Sequence, residues 1–112
     1  MAFYNPGTVV YAYFPFEENP ARVKPRPTEI IAIESDREYR VLKITSTDRS
    51  KKIKGDWILD TSDRGRKMGL RNPSFLDKSK TFIIDKALII EKRSPMGDDP
   101  EIDSVIEDLD QD

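Results

Sequence analysis

Between Thr8 and Phe14 the chain alternates small and large apolar residues, with Val9, Tyr11 and Tyr13 on one side of an extended backbone and Val10, Ala12 and Phe14 on the other. Successive side chains of a strand point to opposite faces, so this pattern predicts a β-strand, and Pro15 ends its regular pairing. Residues 26–46 carry the signature of a β-hairpin: two runs dense in β-branched and aromatic residues around a charged break at Ser35-Asp36-Arg37. In the first run Ile31 and Ile33 take one face and Ile30 and Ala32 the other, as in a strand buried on both sides. The second run sets Tyr39, Val41, Lys43 and Thr45 against Arg40, Leu42, Ile44 and Ser46.

The segments around these two patterns are punctuated by turn and cap residues. Asn5-Pro6-Gly7 is a turn before the first strand. Pro15 to Pro27 contains four prolines (Pro15, Pro20, Pro25, Pro27), which predicts an exposed loop that cannot sit inside a sheet. Thr47 to Gly55 is a basic loop with Arg49, Lys51, Lys52 and Lys54, and Asp56 to Leu59 a short strand or strand-like insertion. Thr61-Ser62-Asp63 reads as a helix N-cap region, and Arg64 to Met68 as a short basic helix ending at Gly69, with Gly65 an unfavourable interior residue. After the break at Asn72-Pro73, Ser74 to Leu76 and Thr81 to Ile84 read as short strands joined by a polar turn, and Ala87 to Lys92 as a last strand or turn. Pro95-Met96-Gly97 is a linker. Asp98-Asp99-Pro100 then reads as the N-cap and first turn of a helix whose Ile102, Val105, Ile106 and Leu109 form one apolar stripe. The sum is a mainly β fold with short helices: a small, strongly curved β-barrel with a C-terminal amphipathic helix.

Composition narrows the chemistry. The 112 residues suffice for one domain, residues 1–112, with 37% hydrophobic and 36% charged residues. The chain has no cysteine and no histidine, which excludes disulfides, thiolate metal sites and histidine-based catalysis. No apolar run approaches the ~18 residues of a membrane span, and no basic-then-apolar signal region opens the chain, so a soluble cytoplasmic protein is expected. The net charge of −2 hides a division: residues 98–112 hold eight acids and no base, which leaves residues 1–97 with 19 bases and 13 acids. A basic body implies an anionic partner, against the plainer reading of a solvated surface with a soluble acidic tail.

An antiparallel hairpin brings its two ends together, so Arg26 at the entrance meets Thr45 and Ser46 at the exit. One guanidinium and two hydroxyls at one rim form a phosphate site; the plainer alternatives are a loop charge and strand-end hydroxyls that cap the backbone. Ser74 can line the same cleft or serve only its turn. Tyr11, Tyr13, Phe14 and Phe16 can stack bases or fill the core, with Phe14 and Phe16 the pair expected outside, while Trp57 is expected in the core or at a dimer contact.

Several stretches resemble the PemK/MazF family of toxin endoribonucleases: Pro6 to Phe16 (PGTVVYAYFPF), Arg26-Pro27 opening an apolar strand, Lys43-Ile44-Thr45-Ser46 closing the next, and Gly69-Leu70-Arg71-Asn72-Pro73-Ser74-Phe75. The resemblance covers most of residues 6–92. It implies an SH3-like barrel, a homodimer, an antitoxin protein that blocks the site, and cleavage of single-stranded RNA without metal or cofactor. In that chemistry the ribose 2′-hydroxyl attacks the adjacent phosphate and leaves a cyclic phosphate. By position Arg26 matches the family's catalytic arginine and Thr45 its strand-end Thr or Ser. Lys24, Ser46, Arg49, Lys51, Lys52 and Ser74 then become candidate RNA contacts. The chain departs from the family at Gly7-Thr8, where Gly-Asp is usual, and at Thr28-Glu29, where small or apolar residues follow the Arg-Pro. Glu29 either pairs with Arg26 or faces the opposite side. The rival reading is a non-catalytic barrel that binds a protein or nucleic-acid partner through its basic loops, or a regulator whose acidic tail imitates nucleic acid.

Overall fold

The computed structural model describes residues 3–14, 24–94 and 97–110. Among them run seven strands, β1 (Val9–Tyr13), β2 (Pro25–Ile33), β3 (Glu38–Thr45), β4 (Gly55–Ile58), β5 (Ser74–Asp77), β6 (Phe82–Asp85) and β7 (Ile89–Lys92), and two α-helices, α1 (Asp63–Met68) and α2 (Ile102–Leu109). A 3-10 turn, Lys86–Leu88, leads into β7. All pairings are antiparallel and follow the order β4-β5-β3-β2-β1-β7, with β6 also on β3.

The long strand β3 explains this branching. Its first half, Glu38 to Val41, pairs with Asp85 to Phe82 of β6, and its end, Ile44 and Thr45, pairs with Leu76 and Phe75 of β5. The polar turn expected between the segments now seen as β5 and β6 is present, yet those strands pair with β3 at different places instead of forming a hairpin.

Alternation along β1, β2 and β3 sends neighbouring side chains into two cores. Val9, Ile31, Leu42 and Ile44 join Ile58, Met68, Leu76 and Val105 in the first. Val10, Ala12, Phe14, Ile30, Tyr39 and Val41 join Ile84 in the second. Each fully buried aliphatic or aromatic side chain contributes about 1.5–3 kcal/mol, so a three-strand layer covered on both faces is well anchored. Phe14, expected outside, is buried and meets the Phe82 ring edge-on at 4.7 Å. Its expected exposed companion Phe16 lies outside the described residues. Trp57 is partly exposed on β4, outside both cores.

Pro25 and Pro27, expected in an exposed loop, are residues of β2 and pair with Tyr13 and Tyr11. Ile30 donates its N–H to Thr8 at 2.9 Å, so even-numbered residues of β2 turn their N–H groups toward β1. The odd-numbered prolines therefore remove no donor from that ladder, which is why a strand tolerates them here. The rest of the expected loop, residues 15–23, lies outside the described residues.

Helix α1 begins as its sequence predicts. The Ser62 hydroxyl accepts the Gly65 N–H at 3.0 Å, and Gly69 closes the helix at φ 74°. Gly65 is required by packing, because a Cβ there would fall 2.1 Å from the Leu59 carbonyl oxygen. Helix α2 starts at Ile102, later than expected; Asp99, although buried, still accepts the Glu101 N–H at 2.9 Å as a capping acid would, and Asp98 instead accepts the Thr8 hydroxyl at 3.1 Å. Its apolar stripe packs on the first core through Ile102, Val105 and Leu109. No helix among the described residues is long and apolar enough to cross a membrane.

Candidate functional site

The hairpin of β2 and β3 sets the position of Arg26. Thr28 pairs with Lys43, and two further steps of that register bring Arg26 level with Thr45. On the other edge of β3, Thr45 pairs with Phe75, which brings Ser46 and Ser74 to adjacent positions. Three strand ends thus meet, and the surface over them is concave.

The concavity has three parts. The first, about 290 Å³, is lined by Arg26, Lys43, Thr45, Ser46, Thr47, Arg49 and Asp77. The second, about 220 Å³, shares Arg26, Thr45 and Ser46 with the first and adds Pro27, Ile44, Asn72 and Ser74. The third, about 250 Å³, shares Pro27, Asn72 and Ser74 with the second and adds Tyr11, Gly69, Leu70, Arg71 and Arg93. Shared walls make this one groove, with Arg26, Lys43, Arg49, Arg71 and Arg93 against the single carboxylate of Asp77. Such a balance favours an extended anion.

Local bonds hold the walls. Ser74 donates to the Asn72 carbonyl at 2.9 Å, and Thr28 donates to the Arg26 carbonyl at 3.2 Å. Asp77 accepts from the Ser79 N–H at 2.9 Å and from its hydroxyl at 2.5 Å. Among the described residues the Thr45 hydroxyl makes only a long bond of 3.4 Å, to the Thr47 carbonyl, so it can turn toward a ligand at little cost. The Arg93 guanidinium sits over the Tyr11 ring, 4.4 Å from its centre.

Five of the eight candidate catalytic and RNA-contact residues therefore line the groove, Arg26, Thr45, Ser46, Arg49 and Ser74, as does the candidate stacking residue Tyr11. Lys24 is exposed just before β2 and lines none of the three parts. Lys51 and Lys52 are exposed in the turn that follows Arg49 and line none of them either. Nothing in the linear order singles out Asn72, Asp77 or Arg93 for the groove. Lys43 did carry a usable signal, since it shares a strand face with Thr45.

Glu29 stands apart from this groove. Three positions from Arg26 on a strand, it falls on the opposite face, where it is fully buried. No hydrogen-bond donor among the described residues reaches either of its carboxyl oxygens. Burial, and then the facing carboxylate of Asp99, holds its pKa well above the ordinary value, which favours the neutral carboxyl over the carboxylate. Asp99 is ionised: burial alone would raise its pKa, but the bidentate grip of Arg64 (2.9 and 3.1 Å), the Glu29 proton and the Glu101 N–H together lower it. Arg64 also bonds Asp56 at 3.0 Å, and buried Lys78 joins Asp56 at 2.9 Å to Asp108 at 2.6 Å. This chain of alternating charge ties α2 and the segment before it to α1, β2 and β4.

A scan against protein-family models and a search of curated proteins found no match for this chain.

Proposed function

We propose that this chain is a metal-independent endoribonuclease of the PemK/MazF toxin type, built on an SH3-like barrel, that cuts single-stranded RNA in the groove over Arg26 and Thr45. One observation carries the reading: the arginine and the threonine that the family resemblance singles out, on two different strands, line the same two adjoining hollows. A homodimer, an antitoxin that covers the groove and a cytoplasmic setting belong to the same reading.

The chemistry follows from the groove residues. Attack of a ribose 2′-oxygen on the adjacent phosphorus forms one P–O bond and places extra negative charge on the phosphoryl oxygens. The Arg26 guanidinium can take two of those oxygens at once, and the Thr45 and Ser46 hydroxyls can donate to them. Lys43 and Arg49 neutralise the neighbouring phosphate. Asp77 is the carboxylate that lines the first hollow and is the acceptor for the 2′-hydroxyl proton. The P–O bond to the 5′-oxygen then breaks, and that oxygen leaves with a proton from water, while Asp77 returns to water the one it accepted.

The rival reading of an acidic tail that imitates nucleic acid loses two of its charges, since Asp99 is committed to Arg64 and Asp108 to Lys78. The deciding experiment is incubation of the purified protein with a long single-stranded RNA in EDTA, beside Arg26→Ala. Cleavage at discrete sites, lost in the variant, is expected; intact RNA with the wild-type protein, purified free of any bound partner, overturns the nuclease reading.

A further inference from the structure

We infer that the third hollow of the groove is a nucleotide subsite, one that takes the residue of a single-stranded polyribonucleotide next to the reacting phosphate. It rests on the reading of the groove as an RNA site and extends it to residues with no part in the chemistry.

Three features carry the inference. First, the third hollow is continuous with the second through Pro27, Asn72 and Ser74, so a strand whose phosphate sits at Arg26 and Thr45 passes into it without leaving the surface. Second, the charged residues that line it are basic: Arg71 is exposed at its edge and Arg93 lies half-buried in its wall, with the Glu91 carboxylate, outside the lining, 3.5 Å from its Nε. Third, Arg93 is held in place by its backbone, by the Tyr11 ring and by the Glu91 carboxylate. Its N–H donates to the Val9 carbonyl at 2.7 Å, and its guanidinium lies over the Tyr11 ring. A guanidinium fixed over an aromatic ring offers a flat, charged platform on which any base can stack, whereas a flexible exposed arginine gains less from stacking because it must first be ordered. Arg71, exposed at the edge, suits the adjoining phosphate.

The platform is assembled from parts remote in sequence. Tyr11 lies in the middle of β1, Arg93 just past the end of β7, and the β1–β7 pairing sets one beside the other. The passage from Gly69 to Ser74 supplies the opposite wall, because the left-handed Gly69 turns the chain out of α1 and returns it across the groove into β5.

The test is binding of 2′-O-methyl oligoribonucleotides, which lack the attacking hydroxyl and so remain intact, followed by fluorescence anisotropy. Wild-type protein is expected to bind a hexanucleotide at least ~10-fold more tightly than a dinucleotide, as a longer phosphate track and further stacking imply. Arg71→Ala combined with Arg93→Gln should abolish that advantage and leave the dinucleotide affinity within about twofold. The slope of log affinity against log salt should also fall by about 0.7 for each phosphate that the protein no longer neutralises. Arg71→Ala alone, an exposed change, should weaken the hexanucleotide by severalfold with an unchanged melting temperature. Hexanucleotide affinity and salt slope equal to wild type in both variants would overturn the subsite. The two readings fail separately: RNA cleavage by a protein whose hexanucleotide binding ignores Arg71 and Arg93 removes the subsite alone. Length-dependent binding that needs them, in a protein that leaves RNA intact, removes the nuclease alone.

Discussion

The carboxyl group of Glu29 faces the carboxylate of Asp99 in the interior, and the two are pushed in opposite directions: burial and Asp99 raise the Glu29 pKa, while Arg64 draws that of Asp99 down. Arg64 sets the difference: its two bonds to Asp99 stabilise that carboxylate as the ion, so the neutral form is favoured at Glu29.

This arrangement gives stability an uncommon pH dependence. Unfolded, Glu29 titrates near 4.5; folded, it keeps its proton well above that. Its contribution is whole below the unfolded value and is lost as pH rises toward the folded one, at about 1.4 kcal/mol per pH unit. Asp99 and Asp108 act in the opposite sense, since their folded values lie below 3.8 and their contributions vanish as pH falls. Stability is therefore expected to peak in mildly acidic solution and to decline toward neutrality. Glu29→Gln, whose amide can donate to Asp99 at any pH, should flatten that decline and melt higher than wild type at pH ~8. Urea unfolding at pH ~5 and ~8 checks it; equal declines in both proteins would count against a neutral Glu29.

The close approach of Gly65 to Leu59 predicts a large cost for a small change. Gly65→Ala raises intrinsic helix propensity, yet its methyl carbon would overlap the Leu59 carbonyl oxygen and crowd the Asp60 backbone. Net destabilisation of about 2–3 kcal/mol is expected, since overpacking outweighs the gain of under ~1 kcal/mol from propensity. A urea midpoint at or above that of wild type would show that the turn before α1 yields easily.

Arg26→Lys separates charge from geometry at the groove. An ammonium keeps the long-range attraction for a phosphate but lacks the planar two-point grip. RNA binding should stay within about threefold of wild type, whereas cleavage should fall by ~10²-fold or more, the usual scale for removing a transition-state donor. Cleavage at wild-type rate with lysine would assign Arg26 to attraction only.

The sequence is most informative where one element explains itself. The alternation in the 26–46 hairpin reveals which residues share a face, and with it the meeting of Arg26 and Thr45. The caps of α1 are local bonds and are equally legible. What stays hidden depends on distant partners. Glu29 in a strand reads as a polar position, because nothing nearby shows that Asp99, brought in by the segment before α2, covers it. The same Asp99 reads as a helix-capping acid, and it does accept the Glu101 N–H, but nothing local shows that Arg64 grips it as well. Pro25 and Pro27 read as strand breakers because the direction in which each N–H would point is set only by the register with β1. Arg93 shows no sign of itself, since its ring partner Tyr11 belongs to the far end of the chain.

The branching of β3 bears on how the chain avoids misfolding. One strand sets the alignment of three neighbours, so an error in it is an error everywhere. A slip of a single residue would turn Lys43 into the core that holds Met68 and Val105, carry Arg40 toward the one around Phe14, and move Val41 and Leu42 out of theirs. Burying either cation without a partner costs far more than any single pairing returns. Charge on both faces of the most shared strand thus acts as a proofreading device: misaligned chains stay loose, and the native alignment is the one that lets all three ladders zip.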